Sequence, residues 1–119
     1  MKLTNFKISE FDSPDLVGSG EEMKANFLTK LQTARTLAGY PFSINSGYRT
    51  KEHNKKVGGT LNSSHLKGLA CDIAISNSSE RSIILVALLA AGFTRVGIGS
   101  TFIHVDLDLS KPQNVIWTY

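Results

Sequence analysis

Three side chains of the types that hold a catalytic metal ion stand beside glycine, alanine or small polar residues: His65, Asp72 and His104. Two imidazoles and one carboxylate can hold a catalytic zinc ion and leave a coordination position for water. Water activated in this way attacks carbonyl groups. Cys71 is the single cysteine, so an internal disulfide and a multi-cysteine zinc cage are excluded. Spacing alone does not establish a metal site, because isolated histidines more often lie at the surface or form hydrogen bonds in a core.

The segment from His65 to Asp72 must bend if these two side chains are to converge. Residues 57–64 contain paired glycines and polar residues without helical or strand periodicity, which predicts a surface loop that leads to His65. Residues 69–75 alternate with a period of two, which predicts a strand with Asp72 on one face. Gly68 lies between loop and strand and can supply the turn.

His104 must reach the same point from a neighbouring strand. The pattern around Gly97 and Gly99 predicts two strands, over residues 93–98 and 101–107. The second of these strands would place Phe102, His104 and Asp106 on one face, because alternate side chains of a strand point the same way.

A long amphipathic helix is predicted over residues 19–38, where apolar side chains recur at steps of three and four. Ser19 and Glu22 form a capping-box pattern at its start. Gly39 stands where a left-handed C-cap is expected.

Two further helices are predicted downstream. A short helix begins after Thr50 as its N-cap and runs to Lys56. A second long and strongly apolar helix is capped by Ser78 or Ser79 and ends at Gly92.

The order of the elements predicts an α+β domain with a small, mainly antiparallel sheet, two longer helices and one short helix. Residues 42–44 are expected to form a short strand that ends at the turn-prone residues 45–47, and residues 115–119 an edge strand. Parallel crossovers are too few for a doubly wound fold. The length of 119 residues fits a single domain over 1–119.

The composition excludes several classes of protein. The chain is 41% hydrophobic and 19% charged, which is ordinary for a globular domain and excludes disorder, collagen and coiled coil. Its longest apolar run, residues 83–91, is far shorter than the roughly 20 residues of a membrane-spanning helix, so no membrane insertion is expected. The first ten residues lack the apolar core of a signal peptide.

Positive charge is concentrated in one stretch. The net charge is +3, and residues 49–67 alone contain Arg49, Lys51, Lys55, Lys56 and Lys67 against the single acid Glu52. Such a field favours an anionic partner, whether nucleic acid, a cell-wall polymer or a substrate carboxylate. Solvated surface lysines explain the same charge without any partner.

Residues 64–73, Ser-His-Leu-Lys-Gly-Leu-Ala-Cys-Asp-Ile, resemble a family motif. It is the Ser-x-His-x-x-Gly-x-Ala-x-Asp type, in its Ser-His form, of zinc D-alanyl-D-alanine carboxypeptidases and related peptidoglycan peptidases. Further blocks follow in family order: Ser46-Gly47-Tyr48-Arg49, Asn54 with Val57-Gly58-Gly59, Phe102-Ile103-His104-Val105-Asp106, and Trp117-x-Tyr119. The group includes phage endolysins, vancomycin-resistance dipeptidases and, without peptidase function, the hedgehog signalling domain. The resemblance implies a fold like that of hedgehog and the D-Ala-D-Ala peptidases.

The resemblance also implies roles for individual residues. His65, Asp72 and His104 would ligate zinc, and a water held there would attack a peptide carbonyl. Arg49 would hold the developing oxyanion or bind a substrate carboxylate, since its planar fork suits either. Ser64 would hydrogen-bond to substrate or satisfy the backbone of its loop.

The general base is the point at which this sequence departs from the family pattern. Many relatives carry Asp or Glu three residues before the last histidine ligand, and that position here is Thr101. Asp106 is the best substitute, because it lies two residues beyond His104 and on the same strand face. The alternative role for Asp106 is to orient a histidine ligand. Glu52 and His53 are further candidates for the base.

These features together predict a zinc peptidase that cleaves bacterial cell-wall peptides, expected to be monomeric. It would act at the cell wall, and a phage-encoded lysin released by lysis or carried on a virion fits the absence of a signal peptide. The first alternative is a metal-containing cell-wall-binding domain without an effective base, which Thr101 keeps open. The second is a small basic nucleic-acid-binding module, which has no aromatic stacking motif beyond Tyr48.

Overall fold

The computed structural model describes residues 4–119 and has the α+β architecture that the sequence predicts. Its three α-helices are α1 (Ala25–Ala38), α2 (Lys51–Lys56) and α3 (Ser78–Ala90). Its five strands are β1 (Ile44–Ser46), β2 (Ala70–Ala74), β3 (Arg95–Ile98), β4 (Phe102–Asp106) and β5 (Val115–Thr118). Short 3-10 turns lie at Ile8–Phe11, Ser19–Glu22 and Ser64–Lys67. Within residues 4–119, no helix has the length and apolar character needed to cross a membrane.

The strands form one mixed sheet in the order β1-β2-β4-β3-β5. Neighbours are antiparallel except β5, which pairs in parallel with β3 at the sheet edge. The register aligns one residue from each strand in a row across the sheet: Ser46, Asp72, His104, Gly97 and Trp117. Two of the three candidate metal ligands are therefore cross-strand neighbours.

The hydrophobic core lies against one face of β2 and β4, opposite to the face that carries the candidate metal ligands. Alternate residues of these strands, Cys71, Ile73, Ile103 and Val105, are completely buried in a cluster that also contains apolar side chains of α1 and α3. The two long helices pack against each other. This packing leaves the opposite face of the strand pair for polar side chains.

The long helix predicted over residues 19–38 is wrong at its start. An isolated 3-10 turn at Ser19–Glu22 precedes α1, whose N-cap is Lys24. The backbone N–H of Lys24 donates to the carbonyl of Gly68, and this tertiary bond holds Lys24 in an extended conformation outside the helix. The hydroxyl of Ser19 accepts from the backbone N–H of Ser13 and does not cap α1. Gly39 ends the helix in the left-handed conformation, as predicted.

Smaller differences occur at the other elements. The N-cap of α3 is Asn77, whose side chain accepts from the backbone N–H of Glu80, and neither Ser78 nor Ser79 has this role. The strand expected over residues 42–44 begins at Ile44 and extends through Ser46, where it pairs with β2. Thr50 caps α2 as predicted.

Candidate metal centre

His65 is held next to the start of β2 by the turn that precedes this strand. It lies in the 3-10 turn Ser64–Lys67, where its backbone N–H donates to the hydroxyl of Ser63. Gly68 then adopts a left-handed conformation (φ 68°) that turns the chain into β2, as its position in the sequence predicts. The His65 Nδ1 lies 2.8 Å from the carbonyl oxygen of Gly47. This contact orients the ring so that Nε2 faces the sheet.

The three candidate ligands converge on one point. Asp72 Oδ1 lies 3.3 Å from His65 Nε2 and 3.0 Å from His104 Nδ1. One ligand atom from each of the three residues lies within 4.8 Å of the other two. Among residues 4–119, this is the one group of three or more His, Cys, Asp or Glu side chains that could hold a metal ion.

The electrostatics of this group favour an ionised Asp72. Burial opposes the charge, but hydrogen bonds with His104 and His65 outweigh it and hold the pKa of the Asp72 carboxyl well below its ordinary value. Burial also lowers the pKa of His104, yet its contacts with Asp106 and Asp72 raise that pKa above its ordinary value. A carboxylate between two imidazoles is a donor set that a divalent transition-metal ion would satisfy.

Asp106 lies on the other side of the His104 ring from Asp72. Its Oδ2 is 2.8 Å from His104 Nε2, and its Oδ1 accepts from Arg95 Nε at 2.7 Å and from the backbone N–H of Asp108 at 3.1 Å. Burial raises the pKa of Asp106, but the bonds with His104 and Arg95 lower it overall. Both oxygens are thus engaged, and the residue is 2% exposed. This geometry is that of a carboxylate that orients a ligating histidine.

Arg49 lies beside the candidate ligands. Its Nη2 is 3.5 Å from Asp72 Oδ2, and its other nitrogens donate to Ser46 Oγ and Asn54 Oδ1. The backbone N–H of Arg49 also donates to the carbonyl of His65. The guanidinium is therefore fixed in orientation at the border of the site.

Ser64 takes part in a network centred on Asp108. Its hydroxyl donates to Asp108 Oδ2 at 2.7 Å and accepts from Lys111 Nζ at 2.9 Å. Lys67 Nζ also donates to Asp108, at 2.9 Å. Burial raises the pKa of Asp108, but bonds from Ser110, Lys67 and Ser64 hold it well below its ordinary value. The hydroxyl of Ser64 is thus engaged with the side chains of Asp108 and Lys111, and not with the backbone of its loop.

Two residues of this site escape prediction from the sequence. Asp108 continues the alternation of His104 and Asp106 by one further step, and this parity was a usable signal. Arg95 offered none, because its contact with Asp106 depends on how β3 pairs with β4. The further base candidates Glu52 and His53 line a separate cavity with Pro14, Asp15 and Lys56.

A cavity of about 420 Å³ opens over the candidate ligands. Its sides include Arg49, Lys111, the Gly58–Gly59 loop and three aromatic residues, Phe102, Trp117 and Tyr119. A Cβ at Gly97 would lie 2.6 Å from the indole of Trp117, so the missing side chain allows this ring to lie over the sheet. The ring centre of Trp117 is 5.6 Å from that of His104. Trp117 and its neighbours therefore form one side of the cavity as well as packing against the sheet.

Comparison with protein families identifies the family of the chain. The family model described as Peptidase M15 matches residues 4–106, which include all three candidate ligands, Arg49 and Asp106. Comparison with curated proteins found no match to the chain. The family match covers most of the sequence and ends at the last residue of β4. The chain belongs to the peptidase M15 family.

Proposed function

We propose that this protein is a zinc-dependent peptidase that hydrolyses peptides of bacterial peptidoglycan. Membership of the M15 family supports peptidase activity. The main observation in support of metal dependence is that one ligand atom from each of His65, Asp72 and His104 lies within 4.8 Å of the other two. The cell-wall substrate rests on the resemblance of residues 64–73 to the motif of peptidoglycan peptidases.

His65 Nε2, a carboxylate oxygen of Asp72 and His104 Nδ1 would hold the metal ion. Zinc bound there supplies Lewis-acid chemistry, since it polarises a carbonyl group and makes a water molecule acidic near neutral pH. The carbonyl of Gly47 fixes the His65 ring for this purpose, and Asp106 fixes the His104 ring. The ligands are thus oriented before a metal ion arrives, which lowers the cost of ordering them.

Arg49 would act on the substrate. Its guanidinium is held by Ser46 and Asn54 within the cavity and beside Asp72. A fixed positive fork in this position can stabilise the charge that develops on the scissile carbonyl oxygen, or bind a carboxylate of the peptide. Either action requires the planar geometry of arginine.

We assign Asp106 a positioning role in place of the general-base role that its strand parity first suggested. A general base needs a free lone pair within reach of the attacking water. Both Asp106 oxygens already accept hydrogen bonds or contact an imidazole, and Arg95 neutralises the carboxylate. Its contribution to catalysis would therefore pass through His104.

A second candidate function is a metal-containing cell-wall-binding domain with little or no turnover. The observation that favours it is that, within residues 4–119, no free carboxylate lines the cavity: its two aspartates, Asp72 and Asp106, are both engaged, and Thr101 stands at the family's base position. Turnover separates the two functions.

The test combines metal analysis with digestion of purified peptidoglycan. We expect about one zinc ion per chain, release of peptide fragments, loss of activity with a chelator and recovery on adding zinc. His65→Ala should lose both zinc and activity, whereas the matched variant His53→Ala should keep both because His53 lines a separate cavity. Zinc binding without release of fragments would support the binding domain. Full zinc occupancy in His65→Ala would contradict the proposed site.

A further inference from the structure

A second cavity adjoins the one over the candidate ligands. It has a volume of about 530 Å³ and is lined by Lys51, Asn54, Lys55, Gly58, Gly59, Leu61 and Leu66. Gly58 and Gly59 line both cavities. We call the second cavity the lysine groove. A peptide bound over the candidate ligands can continue into the lysine groove by passing over these two glycines, which have no side chain to obstruct it.

The charge of the lysine groove comes from one face of α2. Lys51 and Lys55 are four residues apart and so lie on the same side of the helix, towards the groove. Glu52 and Lys56 line the cavity on the other side. Both lysines are exposed. Within residues 4–119, neither Lys51 nor Lys55 has a salt-bridge partner. The groove therefore presents two positive charges that form no salt bridge within the described chain.

The lysine groove is connected to the candidate site through Asn54. This buried side chain accepts from Arg49 Nη1 at 3.3 Å and donates to the carbonyl of Thr60 at 2.8 Å. The backbone N–H of Gly59 donates to the carbonyl of Asn54 at 2.8 Å. A ligand in the groove would thus rest on the same loop and helix that fix Arg49.

Apolar surface accompanies the charge. Leu61 is 99% exposed on the loop that leads to His65, and Leu66 is partly exposed beside it. Exposed leucines beside lysines suit a ligand with aliphatic carbon and carboxylate groups. Among the residues that the structure describes, no aromatic residue lines the groove, so this part of the chain offers no stacking surface typical of single-stranded nucleic-acid sites.

We infer that the lysine groove binds a carboxylate-bearing segment of the peptide substrate, several residues away from the bond that is cleaved. The inference rests on the proposed peptidase function and extends it, because it names acidic peptides as the preferred substrates. Lys51 and Lys55 would pair with substrate carboxylates, and Leu61 would contact the intervening carbon chain. Binding at the groove places the peptide across the Gly58–Gly59 loop and over the candidate ligands.

The first experiment measures binding without cleavage. Fluorescein-labelled eight-residue peptides carry three glutamates at the amino or the carboxyl end, and matched peptides carry glutamines there. Anisotropy is recorded with the full chain after chelator treatment. We expect at least one acidic peptide to bind more tightly than its glutamine match. The double variant Lys51→Gln, Lys55→Gln should weaken that binding by about 5- to 10-fold, as expected for two exposed charge pairs. The control double variant Lys24→Gln, Lys56→Gln removes the same charge elsewhere and should change binding by less than about twofold.

Several results would overturn the inference. Equal weakening in the two double variants would mean that net charge, and not the groove, attracts the peptide. The absence of a preference for glutamate over glutamine would contradict a carboxylate site. A single-stranded DNA octamer that binds as tightly as the acidic peptide, with the same dependence on Lys51 and Lys55, would mark the groove as a nucleic-acid site.

The second experiment separates this inference from the proposed function. With zinc-loaded protein, the Lys51→Gln, Lys55→Gln variant should raise KM for the acidic peptide and leave kcat unchanged, because the groove lies away from the bond that breaks. If no peptide is cleaved while binding still depends on the two lysines, the peptidase proposal fails and the groove remains. If peptides are cleaved with an unchanged KM in the variant, the groove inference fails and the peptidase remains.

Discussion

The two faces of the β2–β4 strand pair carry opposite kinds of side chain. On the helix side, Cys71, Ile73, Ile103 and Val105 are completely buried among apolar groups. On the cavity side, Asp72, His104 and Asp106 each contact specific polar partners. Burial on the first face is non-directional and depends on volume, whereas each contact on the second face depends on a particular atom.

This difference separates the stability of the fold from the function of the site. Removing apolar volume from the helix side should destabilise the whole domain without altering the geometry of the folded site. Replacing a polar atom on the cavity side should abolish or weaken metal binding while the core remains packed. Changes at adjacent residues of one strand test this contrast directly, because they point to opposite faces.

The largest expected effect is that of Asp72→Ala. Asp72 contacts both candidate histidine ligands, so its loss should abolish stoichiometric zinc and lower peptide hydrolysis on the order of 1,000-fold or more. The adjacent variant Cys71→Ala alters the helix side and should keep its zinc. Metal content and turnover measure both, with circular dichroism to check folding. Loss of zinc in Cys71→Ala would contradict the separation between a face that stabilises the fold and a face that binds metal.

The next effect is on stability and comes from Ile103→Ala. Ile103 is fully buried and pairs with Ile73 and Ile98 across the sheet, so its truncation should reduce the free energy of unfolding by about 2–4 kcal/mol. The same truncation at Ile116, which is 54% exposed, should cost less than about 1 kcal/mol. Urea denaturation measures both variants. Zinc bound per folded Ile103→Ala chain should match that of the wild type, and a lower value would show that the two faces are coupled.

Asp106→Asn distinguishes a positioning residue from a general base. Because Asp106 contacts His104 Nε2, the positioning role predicts zinc affinity weaker by about 10- to 100-fold, with turnover largely restored at saturating zinc. A base role predicts the reverse, with unchanged zinc affinity and turnover reduced on the order of 100-fold even at saturation. Zinc titration and turnover on the same preparation give the answer.

Arg49→Lys tests the guanidinium at the border of the site. Lysine keeps the charge but cannot reproduce the contacts of Arg49 with Ser46, Asn54 and Asp72 simultaneously. We expect turnover to fall about tenfold, with a much smaller change in metal content. Unchanged turnover would remove Arg49 from the mechanism.

The smallest effect concerns acid stability and Asp108. The pKa of this carboxyl lies below its unfolded value, so its stabilising contribution is fully present above about pH 4 and is lost as the pH falls below that value. Asp108→Asn should therefore lower stability by about 1–2 kcal/mol at pH 7 and flatten the decline between about pH 4 and 2. Urea unfolding at several pH values gives the free energy of unfolding of the wild type and of Asp108→Asn as a function of pH. Parallel curves for the two proteins would contradict this stabilising role of the Asp108 carboxylate.

The sequence predicts the elements better than their tertiary partners. Alternation in residues 69–75 and 101–107 correctly separates the two faces of β2 and β4, because a period of two depends only on the local chain. The predicted start of α1 was wrong because the hydrogen bond from Lys24 to Gly68 joins segments that are distant in sequence. The parallel pairing of β5 with β3 likewise depends on how the chain crosses the sheet.

The candidate site shows the same limit. The motif in residues 64–73 and its companion blocks identify the candidate ligands, and the structure brings these three side chains together. The sequence left two roles open for Asp106, since parity gives the face of a side chain but not its hydrogen-bond partners. The contact between Asp106 and Arg95 depends on the pairing of β3 with β4, which the strand pattern alone does not give.

The close approach of the Trp117 indole to Gly97 has a consequence for the evolution of the family. Since any side chain at position 97 would meet the ring, the two positions constrain each other. In an alignment of related sequences they should covary, with glycine at 97 wherever a large aromatic stands at 117 and larger residues at 97 only where 117 is small. The family match ends at residue 106, so this covariation would show whether the last strand evolves together with the rest of the domain.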